Sequence, residues 1–160
     1  MKLAKTVIAL LVICSSHALA QNAPAGTVSL NDQLIQDAKD GSVARVQQDL
    51  ANGADVNSRH KNGRTPLMLS AEWGKVDVVN LLLAHRVDVN ARDNYGRTAL
   101  IWAINSLYDA DIVRLLVAHG ADVNAKANDG TTALSIAESG DVLGSVDEVI
   151  VHLLRAHGAQ

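Results

Sequence analysis

The chain has 160 residues, of which 48% are hydrophobic and 19% charged, with a net charge of -3. That length gives room for one domain, the charge fraction is too low for a disordered polyelectrolyte, and the negative balance disfavours nonspecific binding to nucleic acid. Aromatic residues are 2% and Phe is absent, so Leu, Val, Ile and Ala must fill the interior, which suits closely packed helices.

The amino terminus reads as an export signal. Lys2 and Lys5 precede an apolar run from Thr6 to Ile13, and Ala18-Leu19-Ala20 supplies the small residues of a cleavage site, which places the cut after Ala20. The run is far shorter than the roughly 20 apolar residues that a membrane span requires, so no stable anchor is expected after cleavage. The expected location is the periplasm of a Gram-negative bacterium, with secretion as the second choice. Cys14 is the only cysteine and lies in this leader, behind the bulky Ile13 where a lipoprotein signal wants a small residue. The mature chain then has no thiol for a disulfide, a metal or catalysis. Removing the leader leaves 12 basic against 17 acidic residues. Residues 21–28, with Pro24 and Gly26 among small residues, read as a flexible linker.

From Ser29 onwards the sequence repeats. Asp55-Val56-Asn57, Asp88-Val89-Asn90 and Asp122-Val123-Asn124 recur at separations of 33 and 34 residues, and Gly63-Arg64-Thr65, Gly96-Arg97-Thr98 and Gly130-Thr131-Thr132 recur in step. The Gly supplies a positive φ for a tight turn, the Thr caps a helix, and Pro66 suits a first helical position. Short first helices are predicted over Pro66 to Glu72, Ala99 to Asn105 and Ala133 to Ser139. Second helices are marked by Val76 to Leu83 and Ile112 to Val117. One helix pair of this size cannot bury its apolar faces, so successive units must stack.

Thr65-Pro66-Leu67, Leu81-Leu82-Leu83-Ala84-His85 and Gly120-Ala121-Asp122-Val123-Asn124 resemble the ankyrin repeat. The resemblance implies an all-α repeat solenoid, a stack of about four helix-turn-helix units joined by β-hairpin loops, with units near 29–61, 62–94, 95–128 and 129–160. Met68, Ile101 and Ser135 stand where the family carries His, so its side-chain hydrogen bond to the neighbouring turn is expected to be missing in every unit. The distance from the capping Thr to the His near the end of the second helix grows from 20 residues (Thr65 to His85) to 21 (Thr98 to His119) and 25 (Thr132 to His157), which places an insertion near Ser139 to Ser145.

His85, His119 and His157 fall one repeat apart. Packed helices are roughly 8–10 Å apart, whereas zinc holds its nitrogens at about 2.1 Å, so these histidines are read as helix-end groups that serve free carbonyls. No metal and no cofactor are expected. No nucleophile elbow, phosphate loop or paired His-Glu motif is present, so an enzyme is not expected. Asp55, Asp88 and Asp122 read as turn residues.

Proteins that resemble this chain bind partners along the concave side, through hairpin tips and the exposed part of the first helices. Carried over by position, the partner-binding residues are Arg59, Lys61 and Arg64; Arg92, Asn94, Tyr95 and Arg97; Lys126; and at the helix ends Glu72, Trp73, Asn105 and Tyr108. Asn62, Asn128, Asp129, Thr131 and Ser106 fall at the same tips and ends. Arg59, Arg92 and Lys126 hold equivalent places and should form a basic column suited to an acidic partner surface. Trp73 is expected to be exposed and Trp102, which follows the position of Leu69, to be core. The resulting expectation is a monomeric interaction module that binds an exported protein as adaptor, inhibitor or protector, with a link to oxidative-stress defence implied by the resemblance alone. The alternative is an anionic glycan or lipopolysaccharide on the basic column.

Overall fold

The computed structural model describes residues 28–106, 110–139 and 145–160. The leader, Tyr108 and the centre of the expected insertion lie outside the described residues.

Among the described residues eight helices follow in order: α1 (Leu30–Asp40), α2 (Val43–Ala51), α3 (Pro66–Glu72), α4 (Val76–Leu83), α5 (Ala99–Asn105), α6 (Ala110–Ala118), α7 (Ala133–Glu138) and α8 (Ser145–Ala156). They form two layers. The first helices α1, α3, α5 and α7 pack in series, the second helices α2, α4, α6 and α8 pack in a parallel series, and each first helix also packs on its own second helix. This is the stacked arrangement that the repeat demanded.

The starts of the first helices are set by side chains. The hydroxyls of Thr65, Thr98 and Thr132 accept from the N–H groups of Met68, Ile101 and Ser135, and Ser29 does the same for Asp32. Each satisfies one donor that the first helical turn leaves free. Pro66 occupies the start of α3 as expected. Every residue of α3 from Pro66 to Ala71, and of α5 from Ala99 to Ile104, is buried, because these helices have neighbours on three sides. One continuous core runs through Leu34, Val46, Leu67, Val79, Leu82, Leu100, Ile112, Leu116, Leu134 and Leu154.

One expectation changes in detail. The loops between units are tight turns rather than paired strands: His60, Asp93 and Ala127 each donate an N–H to the carbonyl four residues on (Arg64, Arg97 and Thr131, at 2.9, 3.0 and 2.8 Å). Among the described residues the only bridge is the isolated antiparallel pair Lys126 and Thr132. Polar groups at the tips bond to the next loop instead of extending a ladder within their own. At the position where the family carries His, Met68 and Ile101 are buried apolar filling, and Ser135 bonds within its own unit. Its hydroxyl accepts from the Thr132 N–H at 2.9 Å while Thr132 caps Ser135 in return, a reciprocal capping arrangement.

Candidate interaction face

The loops between units are tied to one another by two ladders. In the deeper one, Asp55, Asp88 and Asp122 accept from the N–H two residues on, at Asn57, Asn90 and Asn124, the turn role read from sequence. The same three Asn side chains then reach into the following unit. Asn57 accepts from Asp88 N–H at 2.8 Å, Asn90 accepts from Asp122 N–H at 2.8 Å and donates to Gly120 O at 3.0 Å, and Asn124 repeats both bonds with Gln160 and Gly158.

The second ladder runs along the tips. Arg59 donates to Arg92 O at 2.7 Å and Arg92 donates to Lys126 O, so the three positions do stand in a column. In the opposite direction, Asn94 bonds back to the carbonyls of Asn62 and Lys61, and Asn128 to those of Tyr95 and Asn94. Gly63 and Gly96 make this closeness possible. Both have positive φ, at 79° and 74°, and a Cβ on either would fall 2.4 Å from the side-chain oxygen of the next Asn.

Beneath the tips lies Trp102, buried as expected. Its indole N–H donates to Asp93 at 3.0 Å, and the same buried carboxylate accepts from the N–H groups of Tyr95 and Arg97. The Arg64 guanidinium lies 3.6 Å from the ring centroid and that of Arg97 lies 5.1 Å away, within cation–π range. Arg64 also pairs with Glu72 at 2.7 Å, and Arg97 with Asp129 at 3.6 Å. The Thr131 hydroxyl and N–H, with Arg97 beside them, hold the Asp129 carboxyl below the ordinary carboxylate range.

Structure therefore divides the sequence-derived set. Arg59, Arg64, Arg92, Arg97, Asn94 and Glu72 all have internal partners. Trp73 (49% exposed) and Tyr95 (59%) are the large apolar side chains left in solvent on this side, and Lys61, Asn105 and Lys126 are exposed too. Trp73 walls a pocket of about 220 Å³ whose other sides are Ile35, Gln36 and Lys39 of α1, His60, Asn62 and Arg64 of the first loop, and Leu69 and Glu72 of α3. The α1 residues stand outside the sequence-derived set, whose first-helix positions come from α3 and α5 only.

The recurrent histidines do what helix-end groups do. Nδ1 of His85, His119 and His157 donates to the carbonyl four residues back, at Leu81, Leu115 and Leu153, over 2.8–2.9 Å.

The family model of ankyrin repeats (3 copies) matches residues 34–127, more than half of the chain. The chain belongs to the ankyrin-repeat family. Ankyrin repeats generally act as protein-protein interaction modules, and the family is typically non-enzymatic. The match covers the units built on α1 to α6; α7 and α8 add a fourth pair with the same Thr cap. Comparison with curated proteins finds no match to the chain.

Proposed function

We propose that this ankyrin-repeat protein holds another exported protein, as adaptor, inhibitor or protector, on the face formed by its loop tips and first-helix ends. The observation that carries this reading is the pair Trp73 and Tyr95, two aromatic side chains about half exposed on a face whose backbone is already fixed by the two ladders. Aromatic side chains with a rigid surround are the usual anchors of protein interfaces. The leader read in residues 1–20 supports the periplasm as the place of action, and the protein works as a monomer. Oxidative-stress defence enters only through the resemblance to small exported bacterial relatives.

The glycan alternative receives less support. Two of the cations on this face are paired with carboxylates, Arg64 with Glu72 and Arg97 with Asp129, and the Arg59 and Arg92 guanidinium groups are already bonded to carbonyls. Part of the donor set of each guanidinium is thus already engaged within the protein, which leaves a less open column for sulfate or phosphate.

Affinity capture from periplasmic extract tests the proposal. Wild type is expected to retain a protein that a Trp73→Ala, Tyr95→Ala double variant does not, and equal recovery from both would sink the proposed face. Both residues are exposed, so the double variant keeps the fold. Amino-terminal sequencing of the exported protein is expected to start at Gln21.

A further inference from the structure

The pocket beside Trp73 has features that narrow what it takes. Its volume of about 220 Å³ is below the roughly 300–1,000 Å³ of pockets that enclose small-molecule ligands, and it suits one side chain. Its floor is apolar, made by Ile35 and Leu69, which are almost wholly buried. On its rim the Lys39 ammonium lies 5.0 Å from the centroid of the Trp73 ring. Close by, Arg64 is paired with Glu72 at 2.7 Å, and the Asp40 carboxylate accepts from the Gln36 amide at 2.9 Å. Among the described residues Lys39 has no carboxylate within salt-bridge distance. His60 adds a second nitrogen-bearing group to the same rim.

Building on the proposed interaction face, we infer that this pocket is its anchor, and that it takes an extended acidic segment of the partner in which an apolar residue is followed directly by a carboxylate. The apolar side chain enters between Trp73, Leu69 and Ile35. The carboxylate meets Lys39, which is already held against the indole and so loses little freedom on pairing. Gln36 and Asn62 offer amide groups to the segment's backbone. Charge complementarity selects this occupant: an apolar floor with a cation outside any ion pair on its rim favours an apolar side chain beside a carboxylate over a cationic peptide.

The test uses the 15N-labelled full chain, whose two indole N–H resonances report separately and are assigned with Trp73→Phe. The probes are the blocked pentapeptide Ala-Leu-Asp-Glu-Ala, its amide counterpart Ala-Leu-Asn-Gln-Ala and a heparin tetrasaccharide. The acidic peptide is expected to move the Trp73 resonance and leave that of Trp102, and the amide peptide to bind more weakly. Lys39→Gln should weaken the acidic peptide about two- to fivefold, the range for one exposed ion pair, with an unchanged thermal midpoint. An unmoved Trp73 resonance, an equal response to both peptides, an unchanged affinity in Lys39→Gln, or a response to the tetrasaccharide alone would each overturn the inference. Full capture of the periplasmic partner by Lys39→Gln and by Trp73→Ala alone, with capture lost in the Trp73→Ala, Tyr95→Ala variant, would remove the pocket as anchor and leave the face standing. Capture unchanged in every variant would remove the two together.

Discussion

The loop at Gly96 and the loop at Gly130 carry the same residue in the same backbone conformation, with φ of 74° and 85°, yet they answer to different constraints. At Gly96 the next loop is so close that a Cβ would meet the Asn128 side chain at 2.4 Å and its backbone nitrogen at 2.9 Å, whereas at Gly130 nothing lies within 4 Å. A repeat consensus merges two demands, positive φ and close approach. Only inside the stack do both apply.

Substitution separates them. Gly130→Val should cost about 1–3 kcal/mol, the strain of a non-Gly residue at positive φ, and Gly96→Val should add roughly another 1–3 kcal/mol of overpacking. Chemical denaturation of the two variants would settle the difference, and equal losses would mean that the loop contact yields freely. Next in size are the Asn ladders. Asn90→Ala removes two bonds between units and is expected to cost about 1–2 kcal/mol. Asn124→Ala removes the corresponding bonds to Gly158 and Gln160, which lie beyond α8 rather than in another loop, and should cost about half as much, readable as a smaller fall in the thermal midpoint.

A subtler contrast lies in the first unit. Asp49 on α2 is buried with one carboxylate oxygen unbonded, and burial, reinforced by the Asp37 carboxyl, raises its pKa. A group that binds its proton more tightly when folded contributes stability at acid pH, and that contribution is lost as pH rises through the folded pKa. Asp49→Asn should therefore raise the thermal midpoint at neutral pH, with the gain shrinking towards acid; a pH-independent change would show that the carboxyl is not strained. Smallest of all, Trp73→Ala should change stability by no more than about 0.5 kcal/mol, as exposed sites do, in contrast to its expected effect on capture.

The stack was legible in the sequence because each of its determinants is local. Thr65, Thr98 and Thr132 accept from N–H groups three residues ahead, Pro66 starts a helix, and Gly63, Gly96 and Gly130 close turns, all within a window that periodicity exposes. The separation of Trp73 from Trp102 was also readable, since one sits at a helix end and the other at a position equivalent to Leu69. The inward use of Arg59, Arg64, Arg92 and Arg97 was not. Their spacing says that they recur, but recurrence alone does not distinguish a column offered to a partner from one that reaches to the next carbonyl. Nor did spacing join Lys39 to Trp73, because that contact crosses from one unit to the next and depends on how α1 packs against α3.

The two ladders run along the loop side, while the second helices α2, α4, α6 and α8 meet through apolar side chains. Hydrogen bonds are short and directional, whereas aliphatic contacts tolerate sliding. The molecule is thus bound like a book, stitched along its spine of loops. A partner that lies along the spine meets backbone whose conformational entropy was lost at folding, so the order needed for recognition is in place before the encounter.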